Sequence, residues 1–137
     1  HLVHIAHGVV HSITEESFAQ RLLQLFQGIS RVIEEFSPGE AAVEETFVNK
    51  NPVSTLKLGM ARGVVLLAPS HHALSVAEYS ANRVKKAVVG VGHAAKDQVA
   101  AMVQRLLPQA GKVRLDAADA LAVAICHAHF RQSDPMK

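Results

Sequence analysis

The 137-residue chain is 49% hydrophobic and 19% charged, with a mean hydropathy of +0.15, which suits one compact domain over 1–137 and excludes a disordered chain. Its longest apolar runs, 63–69 and 120–126, are far too short to cross a bilayer, and no secretory-leader pattern opens the chain. The single Cys126 excludes an internal disulfide and fits a reducing, cytoplasmic setting. The formal net charge of +2 hides an asymmetry. Acids dominate 15–45, against Arg21 and Arg31 alone. Bases dominate 81–115, where Arg83, Lys85, Lys86, Lys96, Arg105, Lys112 and Arg114 face only Asp97. A basic half suggests a polyanion surface, although charge runs also serve as plain solvated helix faces.

Leu2 to His11 alternates, with Val3, Ile5 and Val9 on one side, and reads as a strand. A chain that opens directly on a strand implies further residues upstream. Ser12 and Glu15 have capping-box spacing ahead of a helix whose apolar positions (Phe18, Leu22, Leu25, Phe26, Ile29, Ile33, Phe36) recur every three or four residues. Ser37-Pro38-Gly39 ends it. Ala41 to Phe47 reads as a strand carrying Glu44 and Glu45 in mid-run.

After the loop 49–52, Ser54 or Thr55 is expected to cap a helix running to about Leu67. Gly59 and Gly63 lie on one face of it. Each weakens a helix by about 1 kcal/mol, so the close approach of another backbone is the expected reason for them. Leu74 to Tyr79 reads as a strand and Ala81 to Val89 as a short helix broken by Gly90 and Gly92. Ala94 to Leu107 is a helix ended by Pro108, 109–115 a basic loop, and Asp116 the expected cap of a last helix reaching about Phe130. Strands alternating with helices indicate an α/β domain with a mixed central sheet flanked by helices.

Three acids stand out. Asp116 and Asp119 are three apart at a helix start and so share a face. The apolar run 120–125 follows at once, which places them where the helix enters the core. The pair also reads as an N-cap plus a first-turn acid, both favoured by the helix dipole. Glu44 sits inside an apolar strand, where a carboxylate is costly unless paired or coordinated; an edge strand facing water is the competing reading. Together the three suggest a divalent-metal site, because hard cations prefer oxygen ligands. Two such ions activate water and neutralise charge on a scissile phosphate. None of the nine histidines has a zinc-ligand pattern with cysteine partners, and they read as structural or surface residues.

Four segments, in order and in register over nearly the whole chain, resemble the RuvC family of Holliday-junction resolvases. They are Ala-Val-Glu-Glu-Thr-Phe-Val-Asn-Lys-Asn at 42–51, Thr-Leu-Lys-Leu-Gly-Met-Ala-Arg-Gly at 55–63, Val-Lys-Lys-Ala-Val-Val-Gly-Val-Gly at 84–92, and Asp-Ala-Ala-Asp-Ala-Leu-Ala at 116–122. The resemblance implies a ribonuclease H-like fold and a bacterial, cytoplasmic homodimer. It implies symmetric nicking of four-way junctions in recombination and repair, with two Mg²⁺ (or Mn²⁺) ions per active site. The branch-migration helicase complex of RuvA and RuvB is the implied partner.

By position, Glu44, Asp116 and Asp119 resemble three of the family's four catalytic, metal-binding acids. Phe47 resembles the aromatic that wedges against bases at the junction centre; a core aromatic is its other reading. Lys85 and Lys96 resemble DNA-contacting lysines beside the active site, and Lys50, Lys57 and Arg62 are further candidates for backbone contacts. Three departures bear on this. The family's fourth acid, an aspartate in a Gly-x-Asp-x-Gly-like first strand, has no match in 1–137. Glu45 and Met60 each stand where the family has glutamine, Met60 within the helix associated with dimerisation. Two alternatives stay open, a non-catalytic junction-binding dimer and another ribonuclease H-like nuclease acting on RNA or hybrids.

Overall fold

A computed structural model describes residues 2–45, 51–92 and 94–133, with side chains through Arg131. Its elements are α1 (Phe18–Phe36), β1 (Glu40–Glu44), α2 (Pro52–His71), β2 (Ser75–Tyr79), α3 (Ala81–Val89), α4 (Lys96–Leu106), a 3₁₀ turn (Pro108–Ala110) and α5 (Leu115–Ser133). They fall into two compact units, Val10–Ala77 and, separately, His1–Val9 with Glu78–Lys137.

The Val10–Ala77 unit is a helical hairpin with a strand. Ser17, not the Ser12–Glu15 pair, caps α1, its hydroxyl accepting from the Gln20 amide at 3.2 Å. Ser12 is used otherwise: its hydroxyl accepts from Arg21 Nε at 2.9 Å. The helix ends as expected at Ser37, which takes the left-handed conformation and donates its amide to the Ile33 carbonyl. β1 covers 40–44 of the expected 41–47; Thr46 and Phe47 lie outside the described residues. It pairs with β2, of which 75–77 belong to this unit, in a small parallel sheet.

Helix α2 starts two residues before the expected cap. Asn51 is the cap, its Oδ1 accepting from the amides of Val53 and Ser54 at 2.9 and 3.2 Å. Pro52 follows at the first helical position, where proline's missing N–H costs nothing. The helix runs on through Pro69 to His71, past the expected end at Leu67. Among the described residues, nothing outside the helix's own backbone comes within 4 Å of a Cβ placed on Gly59 or Gly63, so the backbone expected to need that room is not among them. Burial here is modest: among the described residues of this unit, Ser30, Ala68 and Pro69 are buried.

The second unit carries the core. Val84 and Val88 on α3, Val99 and Val103 on α4, and Ala117, Ala118, Ala122, Val123, Ile125 and Cys126 on α5 are all buried. The spacing of four on α3 and α4 gives each an apolar stripe, and the alanines of α5 let the neighbouring helices approach closely. Burying each valine contributes about 1.5–3 kcal/mol. Gly90, at φ +97°, closes α3, a conformation that favours glycine. Pro108 ends α4 as expected, but 108–110 form a 3₁₀ turn instead of loop.

One expected element is absent. Residues 2–13 carry no regular secondary structure, and Val3, Ile5 and Val9 are exposed instead of forming a buried face. Alternation assigns faces, but a strand also needs a ladder partner. Among the described residues β1 and β2 pair only with each other. His4 and His7 meet in this irregular segment with ring nitrogens 2.9 Å apart.

Candidate metal and DNA site

Helix α5 places the acidic pair. Its first residue is Leu115, and the Ala118 amide donates to the Arg114 carbonyl at 2.8 Å. Arg114 therefore holds the cap position, and Asp116 is a first-turn acid instead of the cap. Between the acids, Ala117 and Ala118 are 4% and 2% exposed. At 100° per residue that turns Asp116 and Asp119 away from the core, onto one shared, water-accessible edge. Their carboxylates sit beside the partial positive charge of the helix N-terminus, where acidic side chains are favoured.

A cation already stands at this edge. Lys96 Nζ lies 3.7 Å from Asp119 Oδ2, the two side chains 74% and 39% exposed. Accessible carboxylate oxygens on one helix face are the donor type that a hard divalent cation takes, and the ammonium occupies part of that place. No group of three His, Cys, Asp or Glu side chains among the described residues gathers to hold a metal. Glu44, half-buried, is the last residue of β1, in the Val10–Ala77 unit, whereas Asp116 and Asp119 belong to the other. Glu45 follows β1 and is exposed.

The basic candidates divide the same way. Lys85 lies half-buried on α3 and Lys96 opens α4. Lys57 and Arg62 lie on α2, where the Lys57 ammonium sits 5.6 Å from the centroid of the Phe18 ring. Lys57 also lines an apolar cleft of about 410 Å³ with Phe18, Arg21, Leu22, Leu25 and Leu58. Phe47 and Lys50 lie outside the described residues.

The structure adds a cluster that no motif marked. Tyr79, at the end of β2 and 8% exposed, bonds through its hydroxyl to His127 Nδ1 at 2.7 Å. Its ring stacks on Phe130 at 5.7 Å, and the Arg83 guanidinium covers Phe130 at 4.5 Å. Cys126, fully buried beneath, donates to the Arg83 carbonyl at 3.8 Å. Burial pushes its thiol above the ordinary range, and the nearby positive charge of Arg83 offsets part of that rise. Because Tyr79 and His127 are 48 residues apart, no local spacing could have announced the pair.

Paired carboxylates on a late helix of an α/β chain, one of them beside an ammonium, are the kind of site that metal-dependent nucleases use. Among these, the chain belongs to the RuvC family, whose model, crossover junction endodeoxyribonuclease RuvC, matches residues 1–127. The RuvC of Paramagnetospirillum magneticum is 61% identical over 130 residues, spanning 95% of this chain and 78% of that protein. That of Rhodospirillum rubrum is 62% identical over 128 residues, spanning 93% and 76%. The structure of Thermus thermophilus RuvC in complex with Holliday junction substrate matches with a TM-score of 0.84 at 35% identity, over 92% of this chain and 77% of that one. A second Thermus thermophilus RuvC structure matches with a TM-score of 0.80. The fold is ribonuclease H-like. No helix among the described residues is long and apolar enough to cross a membrane.

Proposed function

We propose that this chain resolves four-way DNA junctions by symmetric, metal-dependent nicking, working as a homodimer in the cytoplasm with a RuvA–RuvB helicase complex. The observation that carries this reading is the likeness, over 92% of the chain, to a relative bound to a Holliday junction. The family match runs unbroken from 1 to 127 across both compact units, which supports their acting as one nuclease domain.

In this reading Glu44, Asp116 and Asp119 are the catalytic acids, holding two Mg²⁺ or Mn²⁺ ions. When bound, the ions lower the pKa of water and neutralise charge on the phosphate under attack. The chain's own side chains do the rest. Asp116 and Asp119, fixed on one turn of a packed helix, set where positive charge can reside. Lys85 and Lys96 attract and orient the DNA phosphate, and Lys50, Lys57 and Arg62 hold backbone further out. Phe47 wedges against unpaired bases and replaces stacking lost at the crossover.

Helix α2 supports the dimer. Val53, Leu56, Met60 and Leu67 are exposed at spacings of three, four and seven, and Gly63 falls on the same stripe. A soluble helix with such a stripe calls for a partner surface. The open space over Gly63 lets that partner's backbone come close. Met60 makes the stripe more apolar than the family's glutamine would.

The test compares four-way junctions, linear duplex and RNA–DNA hybrid as substrates, with Mg²⁺ present or chelated. Paired symmetric nicks on the junction alone, dependent on metal, are expected. Preferential cutting of the hybrid would move the chain to another ribonuclease H-like activity. Tight junction binding without cutting in any metal would make it the non-catalytic binder.

A further inference from the structure

Lys96 stands where helix physics disfavours it. It is the first residue of α4, whose N-terminal end carries partial positive charge and favours acids. The cap residue, Ala95, offers no side-chain hydrogen bond; Gln98 Oε1 accepts from its amide at 2.9 Å, and Asp97 is the acid that the first turn favours. The ammonium instead reaches across to α5 and sits 3.7 Å from Asp119 Oδ2. That is a loose contact between two solvated groups, not a direct, desolvated pair.

We propose that Lys96 is a resident countercation for Asp119 that a divalent metal displaces, freeing the ammonium for the DNA phosphate. The proposal rests on Asp119 being a metal ligand. A divalent ion of the Mg²⁺ type binds carboxylate oxygen at about 2.0–2.1 Å, well inside the 3.7 Å of the present contact. Metal and ammonium therefore compete for one oxygen, and the doubly charged ion at shorter range wins. The consequence is a coupling. Lys96 weakens metal binding at Asp119 until the metal arrives, and is then available on the same edge for the anion that the metal recruits.

The experiment is a calorimetric titration of the full chain with Mn²⁺ alone, at about 0.05 M and about 0.5 M KCl. Wild type is compared with Lys96→Met, Lys96→Arg, Asp119→Asn and Lys86→Met, the last removing an equal charge from α3. Thermal melts confirm that each variant is folded. Lys96→Met is expected to bind Mn²⁺ about two- to fivefold more tightly than wild type at low salt, the range open to a solvated ion pair. That gain should shrink at high salt, and Lys96→Arg and Lys86→Met should stay close to wild type. Unchanged or weaker binding in Lys96→Met overturns the proposal, as does an equal gain in Lys86→Met, which would reduce it to a general field effect. If Asp119→Asn binds Mn²⁺ as wild type does, the metal-ligand reading itself has failed. If Asp119→Asn loses binding while Lys96→Met is unchanged, only the countercation role has.

Discussion

Replacing Val103 by alanine tests the packing that holds the acidic edge in place. Val103 lies on α4 with 0% of its surface exposed, in the core where α3, α4 and α5 meet. The same α4 carries Lys96, and the opposing α5 carries Asp116 and Asp119. Truncation removes two methyl groups, worth about 0.8 kcal/mol each in lost transfer free energy. The cavity left behind adds to this, because helices packed on both sides collapse only in part. The sum is about 2–3 kcal/mol. For a chain of this length that lowers the thermal midpoint by about 7–10 °C. Val91→Ala, at a position 57% exposed, is the control and should shift stability by less than about 0.5 kcal/mol. Thermal melts and urea titrations followed by circular dichroism provide the measurement. Equal shifts in the two variants, or a Val103→Ala cost below about 0.5 kcal/mol, would refute the assignment of the core to this helix trio.

Asn51→Ala should cost about 1 kcal/mol in urea titrations, since it removes the cap of α2, whereas Ser54→Ala should be nearly neutral. If the proposed dimer forms through α2, wild type sediments as a dimer and Leu56→Glu as a monomer with its helix content intact, because the substitution puts charge on the exposed α2 stripe. Cys126 should resist iodoacetamide in the folded protein at mildly alkaline pH and react promptly in urea. Its thiol holds a proton more tightly when folded than unfolded. The stabilisation linked to it is therefore complete below the unfolded thiol's pKa and is lost as pH rises through the raised folded value, visible as a falling urea midpoint.

Local signals carried much of the architecture. The stripe of α1, the left-handed stop at Ser37, the glycine end of α3 and the proline end of α4 all act within a few residues of themselves, so their positions were readable from spacing. Errors arose where two local devices competed. Asn51 and Ser54 both suit a cap, and the Asn-Pro order, with proline pre-set for the first turn, decided for Asn51. Ser12 has the right spacing to cap, yet its hydroxyl serves Arg21. The segment 2–11 alternates as a strand should, but pairing is a property of a neighbour and not of the segment.

The site was legible in part for the same reason. Asp116 and Asp119 share a face because a helix repeats every 3.6 residues, so their pairing followed from spacing alone. The Lys96–Asp119 contact and the Tyr79–His127 bond join residues from different elements, and only tertiary packing reveals them. Motifs in register supplied an expectation that periodicity could not, that Glu44 acts with that pair, and among the described residues no three such side chains gather.

Cleavage and binding measured side by side on a four-way junction, for wild type and Asp119→Asn in Mg²⁺, give the sharpest trial of the nuclease assignment. If Asp119 is the metal ligand proposed, replacing its carboxylate should slow cutting at least about a hundredfold while junction affinity stays within a few-fold of wild type. Undiminished cutting by the variant would show that this carboxylate serves the helix and not the chemistry.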